Sequence, residues 1–192
     1  VGFGRTGTLF ACEQSGITPD FMCLSKGLTA GYLPLSVVLT TDNVYNAFYD
    51  DYETMRAFLH SHSYTGNPIG CAVALATLDI FRDENVIENN RQLARCMSES
   101  VAHLADHPNV GDIRQHGMTM AIEMVKDKAS KTPFPWQERR GIRVYKHSLT
   151  RQALLRPLGN VLYFMPPYVI TEEQIRHLAQ VATEGIEIAV KD

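Results

Sequence analysis

The sequence predicts an α/β chain in two parts, with two strands set among helices over residues 1–82 and a small α+β domain over residues 83–192. The apolar runs Phe21–Leu24 and Leu33–Leu39 are of strand length, while longer segments after Asn67-Pro68 and Thr171 open on helix-start signals. From Arg82 onward the candidate elements fall in the order αββαββα, which fits one domain of ordinary size.

After a glycine-rich opening turn, GFGRTG, residues Leu9 to Gln14 read as a short helix closed by Ser15-Gly16. Phe21–Leu24 reads as a buried strand with Lys26 at its end, and Leu33–Leu39, which contains Pro34, as a strand near a sheet edge. Asp42 is placed to cap a helix running to about Tyr49. Asn67 can accept first-turn amides and Pro68 is tolerated at the first helical position, so a helix over Ile69–Phe81 follows. It is apolar nearly all round and should be buried.

An amphipathic helix then runs from the polar stretch Arg82–Asn90 to about Leu104. Strands Val110–Gln115 and Met118–Val125 join at His116-Gly117, and Lys126–Pro135 is a polar loop. Trp136–Gln152 reads as a helix, Ala153–Arg156 as a short strand, and Val161–Met165 as another after the turn Pro157-Leu158-Gly159-Asn160. Thr171-Glu-Glu-Gln174 has the spacing of a capping box and opens the last amphipathic helix.

Hydrophobic residues at 45% and charged residues at 20% exclude a disordered, collagen-like or disulfide-scaffold chain. Lys and Arg total 18 against 21 Asp and Glu, and no basic stripe interleaves with aromatics, so nucleic acid is not an expected partner. The cysteines Cys12, Cys23, Cys71 and Cys96 are scattered, as free thiols in a reducing cytosol would be. No apolar stretch has membrane-spanning length and no signal-peptide pattern opens the chain, so a cytoplasmic location is expected. A chain that starts at Val1 and enters a glycine turn at once is expected to lack its N-terminus.

Gly2, Gly4 and Gly7 fit the spacing GxGxxG, at which a pyrophosphate can approach a helix start. A dinucleotide site wants an acid after the next strand, whereas Asp20 precedes it, so a glycine-permitted loop is the stronger reading. Lys26 follows an apolar strand, which puts an amine at the carboxyl end of a sheet, where α/β proteins bind ligands. It is either a solvated strand end or a nucleophile, since burial favours the uncharged amine that forms Schiff bases.

The run His60-Ser-His-Ser-Tyr-Thr-Gly-Asn-Pro68 leads hydroxyls into a helix start. It can bind an anion through free amides and the helix dipole, or it can be a cap in which Ser63 or Thr65 satisfies its own backbone. His60 and His62 lack the carboxylate or cysteine support of a metal site, and no metal is expected. Arg156, fixed by Pro157, can clamp a carboxylate in two-pronged fashion or serve a structural ion pair, and Arg5 is a weaker candidate of the same type. Tyr163, Phe164 and Tyr168 read as core or pocket wall.

In this order, GFGRTG, CLSKGLTAGYLPL, HSHSYTGNP and RPLGNVLYFMPPY resemble the class III pyridoxal-phosphate aminotransferases of fold type I, over essentially the whole chain. The resemblance implies that residues 1–82 are the C-terminal portion of the large cofactor domain and residues 83–192 the small C-terminal domain. It implies an enzyme that uses pyridoxal 5'-phosphate to move an amino group between small molecules, as a homodimer with its active site at the subunit interface. Lys26 matches the lysine that holds the cofactor and shuttles the substrate proton.

Ser63 matches the hydroxyl, usually threonine in the family, that binds the cofactor phosphate from the neighbouring subunit, with His62 beside it. Ser61 occupies a position whose backbone lies near the substrate, Arg156 matches the arginine that receives a carboxylate, and Arg5 a residue near the amino-donor site. The aspartate that pairs with the pyridine nitrogen, the glycine-serine phosphate segment and the ring that stacks on the cofactor are expected to precede Val1. A reading from another class makes the chain a non-catalytic phosphate-binding or dimerisation module that keeps the family's shape.

Overall fold

Gly4 and Gly7 take positive φ angles of 85° and 96°, and between them the chain changes packing partners. The computed structural model describes residues 1–191 and separates into two units: Val1–Gly4 with Thr8–Ile87, and Arg5–Gly7 with the residues from Glu88 onward.

In the first unit, the short helix α1 (Cys12–Ser15) is closed by Gly16 in the left-handed conformation. Strands β1 (Phe21–Leu24) and β2 (Val37–Thr40) pair antiparallel, with Leu24 opposite Val37. The second starts beyond Pro34, which has no N–H for a ladder. The first strand is not buried as expected, with Phe21 58% exposed, and Val38 of the second, read as an edge strand, is 62% exposed, because among the described residues no second layer of this unit covers both faces of the two-stranded ribbon. An antiparallel pair has no βαβ crossover, so the dinucleotide reading of the glycine turn fails and the loop reading holds.

Helix α2 (Asp42–Asn46) takes Thr41, not Asp42, as its cap position and ends short of Tyr49. Helix α3 (Pro68–Asp83) starts as the sequence dictates, with the Asn67 side-chain oxygen accepting from the Ile69 N–H at 3.0 Å. Its burial differs from expectation. Only Gly70, Ala74 and Thr77 are buried, while Ile69, Leu75, Leu78 and Ile80 are exposed. One stripe of α3 packs on the turn after Lys26, around Phe3, Leu28 and Ala74, and nothing else in the described unit covers its other faces.

The second unit has a full core. Helix α4 (Val86–Val101) runs into a 3-10 turn, Ala102–Asp106, and then into the hairpin of β3 (Val110–His116) and β4 (Thr119–Asp127). The short β5 (Thr132–Pro133), inside the expected loop, adds to β4. Helix α5 (Arg140–Thr150) begins later than expected because Arg139 turns left-handed, at φ 47°, and splits it from the 3-10 turn Trp136–Glu138. Strands β6 (Pro157–Leu158) and β7 (Val161–Phe164) follow, and α6 (Glu172–Ala189) opens on a complete Thr171–Gln174 capping box.

The sheet order is β3-β4-β7-β6, all antiparallel. Met120, Ile122 and Met124 alternate inward along β4, while Glu123 on the opposite face pairs with Arg114. The inward face meets Met97 of α4, Val144 of α5, and Ile175, Ala182 and Ile186 of α6 in one continuous core.

Residues Arg5–Gly7 are stitched to this unit. The Met118 N–H donates to the Arg5 carbonyl at 2.8 Å, and Arg91 Nε to the Gly7 carbonyl at 3.1 Å. Gly117 is required twice over: its φ is +56°, and a Cβ there would stand 2.5 Å from the Arg5 carbonyl oxygen.

Candidate active site

Beyond β1 the chain turns at once. Lys26 has a φ of 47°, in the left-handed region, and opens the 3-10 turn Lys26–Thr29. The N–H groups of Leu28, Ala30 and Gly31 donate to the carbonyls of Ser25, Gly27 and Lys26, at 3.1, 3.1 and 3.2 Å. Leu28 anchors the turn in the core, where Gly27 lies so close to Phe3 that a Cβ would sit 2.8 Å from its ring.

Beside the turn is an open depression of about 510 Å³, lined by Ser25, Lys26, Tyr32, Leu33 and Pro34 among others. The Lys26 side chain is exposed and has no hydrogen bond or ion pair among the described residues. Its exposure is that of a solvated strand end rather than the burial that favours an uncharged amine, while its place beside the depression leaves it within reach of a carbonyl compound there.

The run from His60 to Asn67 is exposed but for half-buried Asn67. His62 Nδ1 accepts from the Tyr64 N–H at 3.1 Å, and Thr65 Oγ1 accepts from the His62 N–H at 3.0 Å. Those two side chains serve their own turn, as the cap reading expected of Thr65. Pro68 has no N–H, Ile69 donates to the cap and Cys71 to the Asn67 carbonyl, so the start of α3 spends most of its donors on itself. Ser63 differs: its hydroxyl has no partner among the described residues. None of Ser61, His62 and Ser63 lines the depression at Lys26, so the first unit does not bring these candidates together with the lysine.

In the second unit, the segment before Arg156 is not the expected strand. Ala153–Arg156 is extended chain tied to α5, with Ala153 N–H on the Ser148 carbonyl at 2.9 Å and Leu155 N–H on Ser148 Oγ at 3.3 Å. Ser148 is wholly buried, and its hydroxyl takes the place of a sheet partner, so the ladder begins only at Pro157, opposite Leu162. Gly141 lets the following turn approach, since a Cβ there would lie 2.3 Å from the Gly159 carbonyl. Arg156 projects from this braced segment, exposed and without a partner among the described residues.

Arg5 is engaged. Its Nη1 donates to the Pro166 carbonyl at 2.5 Å, and its guanidinium carbon lies 4.5 Å over the Tyr168 ring. Burial pushes the Tyr168 hydroxyl above its ordinary value, and the Arg5 charge partly opposes that. No cluster of metal-ligating groups and no helix long and apolar enough to cross a membrane occurs among the described residues.

In the first unit a lysine beside a depression suits a carbonyl group, and in the second a braced, unpaired arginine suits a carboxylate. The model of the family described as Aminotransferase class-III matches residues 1–186. The chain belongs to the class-III aminotransferases. Among relatives of this aminotransferase chain, the adenosylmethionine-8-amino-7-oxononanoate aminotransferase of Geobacter sulfurreducens is 48% identical over 99% of the chain and 41% of that protein. The protein of the same name from Helicobacter pylori is 49% identical over 92% of the chain and 39% of its own length.

A crystal structure of the Methanocaldococcus jannaschii protein of that name superposes with a TM-score of 0.90 at 43% identity, over 97% of this chain and 43% of that one. The PMP-bound form of a Vibrio fluvialis aminotransferase gives 0.90 at 34% identity, over 98% and 42%. The fold is therefore that of the class-III transaminases, and the chain spans about two-fifths of the length of the curated relatives it matches.

Class-III aminotransferases depend on pyridoxal phosphate. The residues present fit part of such a group: an unpartnered amine at Lys26 for its aldehyde, and an unpartnered hydroxyl at Ser63 for a phosphate. Thr29 and Tyr32 shape the lysine's surroundings, Thr29 by its hydrogen bond to the Leu33 carbonyl and Tyr32 by lining the depression. The only sequence signal for Thr29 is a hydroxyl residue set between an apolar Leu28 and the turn residues Ala30-Gly31.

Proposed function

We propose that this chain is the carboxyl-terminal part of an enzyme that transfers the amino group of S-adenosylmethionine to 8-amino-7-oxononanoate, giving 7,8-diaminononanoate for biotin synthesis. Residues 1–82 are the end of the large cofactor domain, residues 83–192 are the small domain, and the enzyme works as a cytoplasmic homodimer with its active site at the interface. The observation that carries this reading is the 48–49% identity to proteins bearing that enzyme's name, with Lys26 standing at a strand end beside a depression.

Pyridoxal phosphate, when bound, supplies an aldehyde for amines and a sink for the charge that builds at the substrate α-carbon. The chain supplies the rest. The Lys26 amine holds the group and, once released, takes the proton from the donor's α-carbon. The Ser63 hydroxyl donates to the phosphate held by the neighbouring subunit, with His62 beside it. Ser61 presents its backbone to the substrate, Arg156 receives the carboxylate through paired N–H groups, and Arg5 borders the amino-donor side.

The test is a coupled assay on the holoenzyme with 8-amino-7-oxononanoate as acceptor and S-adenosylmethionine or lysine as donor. Turnover with S-adenosylmethionine is expected, and turnover with lysine alone would overturn the assigned donor. Borohydride reduction is expected to leave a pyridoxyl group on Lys26.

A further inference from the structure

Thr29 is 1% exposed, and its hydroxyl is the one polar side-chain group inside the turn that follows Lys26. Oγ1 donates to the Leu33 carbonyl at 2.5 Å and lies 3.5 Å from the carbonyl of Lys26. Lys26 and Leu33 both border the depression, so one buried hydroxyl ties two parts of its rim together. The backbone around it is costly to hold. Lys26 and Ala30 are both left-handed non-glycine residues, at φ 47° and 50°, conformations that persist only where neighbouring bonds enforce them. The Tyr32 N–H returns a bond to the Thr29 carbonyl at 3.0 Å, so the same residue fixes the side of the depression that carries Tyr32.

We infer that Thr29 is a positioning residue: its hydroxyl holds the Lys26–Leu33 loop in the shape that aims the lysine amine into the depression. This rests on the proposed role of Lys26. It predicts a specific loss. Replacing the hydroxyl with a methyl leaves the half-buried Leu33 carbonyl without its donor and crowds it, which frees the loop and misdirects the amine.

The test compares wild-type, Thr29→Val and Thr29→Ser holoenzyme at subsaturating pyridoxal 5'-phosphate, with the fraction of Lys26 carrying a pyridoxyl group after borohydride reduction read by peptide mass. Thermal melting of each variant reports the folded fraction. Thr29→Val is expected to lower the trapped fraction about tenfold relative to the folded protein, and Thr29→Ser to stay within about twofold of wild type. Thr29→Ala, which adds no crowding methyl, carries the same expectation where valine disturbs packing.

Trapping in Thr29→Val equal to wild type, or reduced only in proportion to unfolding, would overturn the inference while leaving Lys26 in its role. Equal losses in the serine and valine variants would overturn it as well. A wild-type protein with no adduct on Lys26 would overturn both this inference and the function on which it rests.

Discussion

The guanidinium of Arg5 lies 4.5 Å over the ring of Tyr168 and simultaneously holds the carbonyl of Pro166. Two consequences can be measured. Arg5→Ala removes the positive charge that opposes the effect of burial, so the Tyr168 hydroxyl should titrate still higher above 10.0 in an ultraviolet absorbance titration. The variant should also lose about 1–3 kcal/mol in denaturant unfolding, since a ring contact and a charged hydrogen bond disappear together.

Lys26 is expected to be dispensable for folding and indispensable for chemistry. Its side chain is exposed and unpartnered, so Lys26→Ala should leave the melting temperature within about 2 °C of wild type. Turnover should fall by about 10⁴-fold or more, because the same amine holds the cofactor and moves the proton. A variant that still turned over within tenfold of wild type would remove Lys26 from the mechanism.

Arg156 offers a separation of binding from stability. With no partner among the described residues, Arg156→Ala should not change stability by more than about 0.5 kcal/mol. Loss of a carboxylate clamp should raise the KM of the carboxylate-bearing substrate about 10- to 100-fold. Arg156→Lys keeps the charge and loses the fork, so it should recover only part of that.

Gly141 reports on the bracing of Arg156. A methyl group at this position would meet the Gly159 carbonyl at 2.3 Å and Pro157 at 2.6 Å. Gly141→Ala should therefore destabilise the protein by about 1–3 kcal/mol, despite the better helix propensity of alanine. Unfolding by urea, read as a midpoint shift, measures it.

Acid should weaken the second unit through Glu184. A hydrogen bond from His147 at 3.0 Å, with further help from Gln180 and Arg151, holds this carboxyl below its ordinary value of 4.5. The group binds its proton more weakly in the folded state than in the unfolded one. Its contribution is thus present above the ordinary carboxyl value and is lost as pH falls through the lowered one. A melting series from pH 6 to pH 3 should show a shallower acid decline in Glu184→Gln than in wild type, and an unchanged slope would show that the group is not linked to folding.

Elements with a local cause were legible in the sequence. The Asn67 cap, the Thr171–Gln174 box, the turn at Gly117 and the boundaries of β1 all follow from a residue and its near neighbours. What failed depended on distant partners. The apolar character of α3 predicted burial, but burial needs a second layer, and within the described unit only one stripe of the helix has one. The strand expected at Ala153–Arg156 lost its ladder to the side chain of Ser148, which no periodicity announces. Arg139 broke the expected helix by turning left-handed, a conformation that its residue type does not favour.

The site divides in the same way. Lys26 stood out because a lone amine after an apolar strand is a local pattern, and Arg156 because Pro157 fixes the chain beside it. Thr29 did not, because its importance comes from a carbonyl four positions away that only the folded turn brings to it.

The stitching of Arg5–Gly7 into the second unit means that no single cut in the sequence yields that unit whole. A piece begun at Glu88 would leave the Met118 N–H and the groove over Gly117 open to solvent, with Tyr168 stripped of its cation. Arg5 in the missing strip also sits 161 positions before Pro166, so during synthesis the ribosome delivers the strip well before that part of its receptor. Completion of this unit therefore depends on a long-range closure rather than on local contacts, which makes it slow.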